Sequence, residues 1–218
     1  LRSNIVRGKA YAVRSIKEYE LLPNVEESLE FLNFLGFCLV VITNQPDIGN
    51  GLCSEAVSTQ IHERLLRETP IEHVYMCPHA QNSSCYCRKP APGMIFKAQI
   101  DLDLDLTSSW VVGDRASDIQ SGFNAGCKSI FIDLEYREKK PDIQNATSNN
   151  LEDAVIEISD GSLKFQNYKQ TAPLTLKFVQ QCLSECINNE ESVKNLMEYI
   201  KNKREFKMKN DIKRSYKN

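Results

Sequence analysis

The sequence predicts an α/β domain built on a parallel sheet, and three observations carry that expectation. Short apolar runs rich in β-branched residues alternate with stretches of helical periodicity, and the polar irregularities of the chain fall where those runs end. No apolar run approaches the roughly 20 residues needed to span a bilayer. A length of 218 residues accommodates one such domain with an appendage. Hydrophobic residues make up 41% and charged residues 26%, close to globular averages, so neither wholesale disorder nor a membrane protein is indicated.

Taken in order, Pro23 and Asn24 open the helical stretch VEESLEFLNFL, in which Val25, Leu29, Leu32 and Leu35 recur at helix spacing until Gly36 stops it. FCLVVITN, residues 37–44, is a continuous apolar run suited to a strand buried on both faces. The polar turn QPDIGNGLC leads to a helix from about Ser54 to Glu68, and HVYMCP is the next strand. PGMIFKAQIDL reads as a helix, SSWVVGD (108–114) as a strand, ASDIQSGFNAG as a helix closed by Gly126, and KSIFID as a strand. This alternation predicts parallel βαβ units with right-handed crossovers. Beyond about Asp160, PLTLKFVQQCLSECI and SVKNLMEYIKNK promise helices and no further strand. The last eighteen residues hold eight Lys or Arg against Glu205 and Asp211 and read as a solvated basic tail.

A net charge of -2 gives no electrostatic case for nucleic acid as the main partner. The first twenty residues contain no apolar stretch of signal-peptide type, so a cytoplasmic location is expected. The chain starts at Leu1, which suggests a fragment or a processed product. Of eight cysteines, three cluster with a histidine in CPHAQNSSCYC, and the others read as buried small apolar residues and not as a disulfide scaffold.

In an open parallel sheet, ligands bind beyond the carboxyl ends of the strands. Thr43 and Asn44 end one strand there, and a hydroxyl at such a tip can donate to phosphate, although a threonine capping a turn is the commoner case. Arg88 and Lys89 are adjacent cations able to neutralise a dianionic phosphate, with surface salt bridges as the competing reading. Asp114, after Gly113, suits a Mg²⁺ ligand. Asp118, one turn on, is either a partner for a lysine or a first-turn acid favoured by the helix dipole. Cys77, His79, Cys85 and Cys87 form a Cys₃His set of the kind that closes around structural zinc. With no position left for water, the metal would shape the loop and fix the angle at which Arg88 and Lys89 leave it.

These residues carry a family resemblance. VVITNQP, CPH-x5-CYCRKPAPGM and VVGDRASD resemble, in order, the second, third and fourth motifs of the haloacid dehalogenase (HAD) superfamily. They are most similar to its zinc-loop branch, which contains the D-glycero-D-manno-heptose-1,7-bisphosphate and histidinol-phosphate phosphatases. The resemblance covers roughly residues 1–158 and implies a Rossmann-like three-layer fold, with residues 159–218 as a helical, basic extension. By position it implies that Thr43 and Asn44 contact phosphate and that Arg88 and Lys89 hold phosphate and substrate. It further implies that Asp114 ligates Mg²⁺ and that Arg115 lies on the substrate side.

The family's first motif, Asp-x-Asp-Gly, which supplies nucleophile and general acid/base on the first central strand, has no match upstream of Thr43. The Asp-x-Asp in DLDLDL (101–106) lacks the glycine and reads as a solvated loop. A truncated phosphatase is therefore expected in preference to a degenerate one, with the first central strand missing and turnover absent as the chain stands. The resemblance implies a monomeric Mg²⁺-dependent hydrolase of a sugar bisphosphate. Histidinol phosphate is the alternative substrate, and a non-catalytic zinc-stabilised phosphate-binding module the alternative from another class.

Overall fold

The computed structural model describes residues 4–6 and 9–162, all within one compact unit, Leu1–Asn167. The helices expected over 173–187 and 192–203, and the basic tail, lie outside the described residues.

The chain starts with an antiparallel hairpin of β1 (Asn4–Val6) and β2 (Lys9–Tyr11), followed by a 3-10 turn at Ile16–Glu18. Helix α1 (Val25–Phe34) carries Glu26 and Glu27 in its first turn, where acids favour the helix dipole. Strand β3 (Val40–Asn44) starts three residues later than the apolar run predicts. The cause is local: the Phe37 amide is spent on the Leu32 carbonyl, 3.1 Å away, to close α1.

The short helix α2 (Pro46–Gly49) lies inside what reads as a polar turn. Helix α3 (Glu55–Glu68) is capped by Ser54, whose hydroxyl accepts from the Val57 amide at 3.2 Å. Strand β4 (His73–Cys77), helix α4 (Gly93–Leu102), strand β5 (Trp110–Gly113), helix α5 (Ala116–Ala125) and strand β6 (Lys128–Ile132) follow the expected alternation. Beyond them lie β7 (Ala146–Ser148) and α6 (Leu151–Ser162), which the periodicity did not single out. DLDLDL spans the end of α4 and its loop, with Asp101 held by Lys97 and Tyr75.

The larger strands pair in parallel, but in two pieces. β3 and β4 run together from Val40–His73 to Asn44–Cys77, and β5, β6 and β7 form the other piece in that order. No backbone ladder joins the pieces, so β3 and β5 each keep an edge unpaired by any described strand, as a missing central strand would leave them. Side chains close the break instead. Ile42 of β3 packs against the cluster of Ile95, Leu106 and Val111, and Leu39 reaches the two other buried clusters.

Ile130, at the centre of β6, is fully buried among Leu32, Val155 and Ile158. Ile130→Ala is expected to cost about 2–5 kcal/mol in urea unfolding. Ile100→Ala, on the exposed face of α4, should stay within about 0.5 kcal/mol of the parent.

Candidate active site and metal centre

β4 delivers Cys77 into a fully buried position, and the loop that follows folds back to bring His79, Cys85 and Cys87 onto it. The Nδ1 of His79 lies 3.4 Å from the Cys77 sulfur and 3.3 Å from the Cys87 sulfur, and the Cys77 and Cys85 sulfurs are 3.7 Å apart. All four donor atoms fall within 4.8 Å of one another. A zinc ion with Zn–S bonds of about 2.3 Å would set tetrahedral sulfur–sulfur edges of about 3.8 Å, so the residues fit that ion. The electrostatics agree. Burial and the neighbouring Cys77 and Cys85 sulfurs push the Cys87 thiol up to about 12. At Cys85 burial works against the thiolate, yet the Arg88 amide and the neighbouring thiols draw the group below its usual range. Three thiolates this close cannot coexist without a compensating cation.

The loop is also held from the side by α2. A β-carbon on Gly49 would lie 2.4 Å from the Ala80 nitrogen and 2.8 Å from the Pro78 carbonyl oxygen, so only glycine lets the two backbones meet. The Asn50 side-chain carboxamide donates to the side-chain oxygen of Gln81 at 2.7 Å.

The chain leaves the loop at Arg88 and Lys89. Arg88 donates to the His79 carbonyl at 3.2 Å, which ties its guanidinium to the metal loop itself. The Lys89 ammonium, almost wholly buried at 12% exposure, donates to the Ile42 carbonyl at 2.8 Å and pairs with an Asp118 oxygen at 2.7 Å. The second Asp118 oxygen accepts from the Arg115 amide at 3.0 Å. Both readings of Asp118 thus hold at once: it starts α5 and it orients a lysine. Gly113 makes this possible, since a β-carbon there would sit 2.4 Å from that of Asp118.

Asn44, at the end of β3, accepts from the Lys89 amide at 3.1 Å and donates to the Lys89 carbonyl at 3.2 Å. Asn124 of α5 donates to the Pro90 carbonyl at 2.9 Å. Thr43, next to Asn44 on β3, is half-buried, and its hydroxyl has no partner among the described residues.

Asp114 stands directly beyond β5. Burial, then the nearby Asp118 charge, raise its carboxyl above the usual range, while a hydrogen bond from Tyr136 and the Arg115 charge only partly offset them. A half-buried carboxylate at a strand end, only partly offset by its neighbours, fits a divalent cation. Asp114 and Arg115 line a shallow depression that Asp133, Tyr136, Lys139 and Lys140 also line. Arg115 faces Glu138 at 3.7 Å, and Lys140 pairs with Asp133.

The structure thus gathers Asn44, Lys89 and Asp118 into one bonded group and places Asp114 within reach of the Asp118 charge. Arg88 turns back to the metal loop, and Arg115 lines the depression. Sequence reasoning missed the roles of Asn124, Tyr136 and Gly49, for which no local signal existed.

Comparison with known proteins places these features in context. The HAD-hydrolase-like family model matches residues 86–151, and a model for a family of unknown function (DUF5760) matches residues 137–217. The D-glycero-alpha-D-manno-heptose-1,7-bisphosphate 7-phosphatase of Photorhabdus laumondii is 31% identical over 163 residues, covering 69% of this chain and 89% of the relative. The D-glycero-beta-D-manno-heptose-1,7-bisphosphate 7-phosphatase of Escherichia coli K12 is 31% identical over 146 residues, 62% of this chain and 76% of the relative. Among solved structures, the D,D-heptose 1,7-bisphosphate phosphatase of B. bronchiseptica, complexed with magnesium and phosphate, shares the fold with a TM-score of 0.64 at 24% identity. That match covers 73% of this chain and 93% of that one. A putative HAD-like phosphatase from Mesorhizobium loti matches with a TM-score of 0.57 at 27% identity, over 67% of this chain and 78% of that one. No described helix is long and apolar enough to cross a membrane.

Two outcomes follow from the site's geometry. Metal analysis of the purified chain should find one zinc per chain, lost in Cys85→Ser and Cys87→Ser and retained in Cys53→Ser and Cys127→Ser. The raised Asp114 pKa means that the folded state holds its proton more tightly than the unfolded chain does, so stability is lost as pH rises through the folded value. In Mg²⁺-free buffer, Asp114→Asn should therefore raise Tm near about pH 7 and lose that advantage toward about pH 4.

Proposed function

Because the chain belongs to the HAD-like phosphatase family that includes the heptose-1,7-bisphosphate 7-phosphatases, we propose that it serves as a Mg²⁺-dependent phosphomonoester hydrolase of D-glycero-D-manno-heptose 1,7-bisphosphate. The observation that carries this reading is the buried Lys89 ammonium, held by the Ile42 carbonyl and Asp118 near the only partly offset carboxylate of Asp114. A fixed cation and a cation ligand at neighbouring strand ends suit a shared dianionic phosphate.

In this reading the phosphate lies beyond β3 and β5. The Thr43 hydroxyl and the Lys89 ammonium donate to its oxygens, Asp114 holds the Mg²⁺, and Arg88 and Arg115 meet the substrate. When bound, the magnesium neutralises charge on the transferring group. Cys77, His79, Cys85 and Cys87 hold zinc, which shapes the loop and takes no part in the reaction. In-line attack needs a carboxylate nucleophile, and the family's Asp-x-Asp-Gly has no counterpart in these 218 residues. A strand bearing it would join at the unpaired edges of β3 and β5. We therefore assign phosphate binding to the chain as it stands, and turnover to a form in which that strand is present. A cytoplasmic location accompanies the proposal, since a sugar bisphosphate is too highly charged to cross a bilayer unaided.

The test measures phosphate release with Mg²⁺ from the heptose bisphosphate and from histidinol phosphate, using the 218-residue chain and a form extended by an Asp-x-Asp-Gly strand. The extended form should prefer the heptose substrate, and Lys89→Ala should lower its kcat about 10²–10³-fold, the scale for losing one preorganised electrostatic group. Faster release from histidinol phosphate would reassign the substrate. If neither form turns over and both bind zinc and phosphate, the chain is a binding module.

A further inference from the structure

The loop that carries the Cys/His cluster is closed at its base by one residue. The backbone of Asn44 pairs with that of Cys77, where the loop starts, and its carboxamide grips both the N–H and the C=O of Lys89, where the loop ends. The next amide, that of Gln45, donates to the Cys77 carbonyl at 2.8 Å. A planar carboxamide offers one donor face and one acceptor edge, and here each is matched to the complementary group of a single residue. The two links span 45 residues of sequence and fix the Lys89 backbone as a strand neighbour would.

Arg88 is tied differently. Its guanidinium bonds to the carbonyl of His79, a member of the cluster, so its place would follow the conformation that a metal bound there imposes. The two adjacent cations thus have separate supports. The Asn44 carboxamide is also committed to Lys89 in both directions, whereas the neighbouring Thr43 hydroxyl has no partner among the described residues.

We propose that Asn44 is a positioning residue for Lys89: it sets the lysine that binds phosphate and does so independently of the metal in the loop. The phosphate role rests on the proposed function, whereas the positioning itself does not. Loss of the clamp lets the Lys89 backbone move, and the ammonium leaves the Ile42 carbonyl and Asp118.

Two measurements test this on the 218-residue chain. The first is acetylation of Lys89 by acetic anhydride, read residue by residue by mass spectrometry. Asn44→Ala should speed labelling of Lys89 about tenfold, the scale of one or two lost net hydrogen bonds, while the exposed Lys139 stays unchanged. Removing zinc from the parent with a chelator should leave Lys89 protected and expose Arg88 to phenylglyoxal. If Asn44→Ala fails to fold, Asn44→Asp decides: it keeps the shape but sets a carboxylate against the Lys89 carbonyl, and should also free Lys89.

The second is calorimetry with inorganic phosphate and Mg²⁺. A residue that acts only through Lys89 should weaken binding on its own and add nothing in the Lys89→Ala background. Additive losses would make Asn44 a direct phosphate ligand and overturn the proposal. So would a Lys89 that stays protected in both Asn44 variants, or one freed as fully by chelation as by Asn44→Ala. A parent chain that binds no phosphate, yet labels as expected, would defeat the functional reading and leave the positioning intact.

Discussion

The Lys89 ammonium makes two bonds on which the described fold and its chemistry both depend: one to the Ile42 carbonyl on β3, the other to Asp118 at the start of α5. The parallel strands stand in two pieces without a shared ladder, and this side chain is a polar tie from one piece to the helix packed on the other. A buried ion pair usually returns little of its desolvation cost unless every remaining donor and acceptor is matched. Here the second Asp118 oxygen takes the Arg115 amide and the ammonium takes a backbone carbonyl. With only the third ammonium proton left over, most of the cost of holding the pair away from water is offset. The same arrangement puts a fixed positive charge where the strands end.

The metal loop supports the neighbouring cation, Arg88, whose guanidinium bonds to the His79 carbonyl. Four donors within 4.8 Å, three of them thiols that cannot all ionise together without a cation, cannot hold the loop by packing alone. Polar residues dominate Gln81–Ser84 and supply no hydrophobic core to replace a metal. Contact with α2 at Gly49 and the bond from Asn50 to Gln81 stiffen only one flank. A cation in the cluster and a carboxamide at the base are thus complementary supports, one for the body of the loop and one for its last residue.

How much of this was legible in the sequence varied with the range of the interaction. The runs VVITN, HVYMC, WVVG and KSIFI announced their strands through short-range pattern, and the spacing of Cys77, His79, Cys85 and Cys87 announced a shared ligand set because the four lie in one loop. The hairpin at the start and β7 were not legible, being three-residue strands too short to show a period. Helix α2 was hidden because its Pro, Asp and Gly are also turn residues. Asn44 was visible only as a polar residue at a strand tip. That its amide meets Lys89 depends on how two segments 45 residues apart come together, which local pattern does not encode. Asp118 posed a choice between two roles that the fold makes compatible, since a carboxylate has two oxygens.

The last consequence concerns the two acids beyond β5. Asp118 has its charge matched inside the protein, but Asp114 is buried beside it with weaker support, and the neighbouring charge adds to its burden. A free phosphate approaching Lys89 would meet the ionised Asp114 as a like charge. A dication on Asp114 reverses that sign. Under the proposed function, phosphate and Mg²⁺ should therefore bind with positive coupling, each raising the affinity of the other by the same factor. The asymmetry between the two aspartates is what creates this coupling. Had both carboxylates been matched by lysines, the site would attract phosphate without calling for a metal; had neither been, it would repel phosphate until metal arrived. One acid paired with a lysine and one that is only partly offset, four residues apart where β5 gives way to α5, give a site in which the two ligands favour each other.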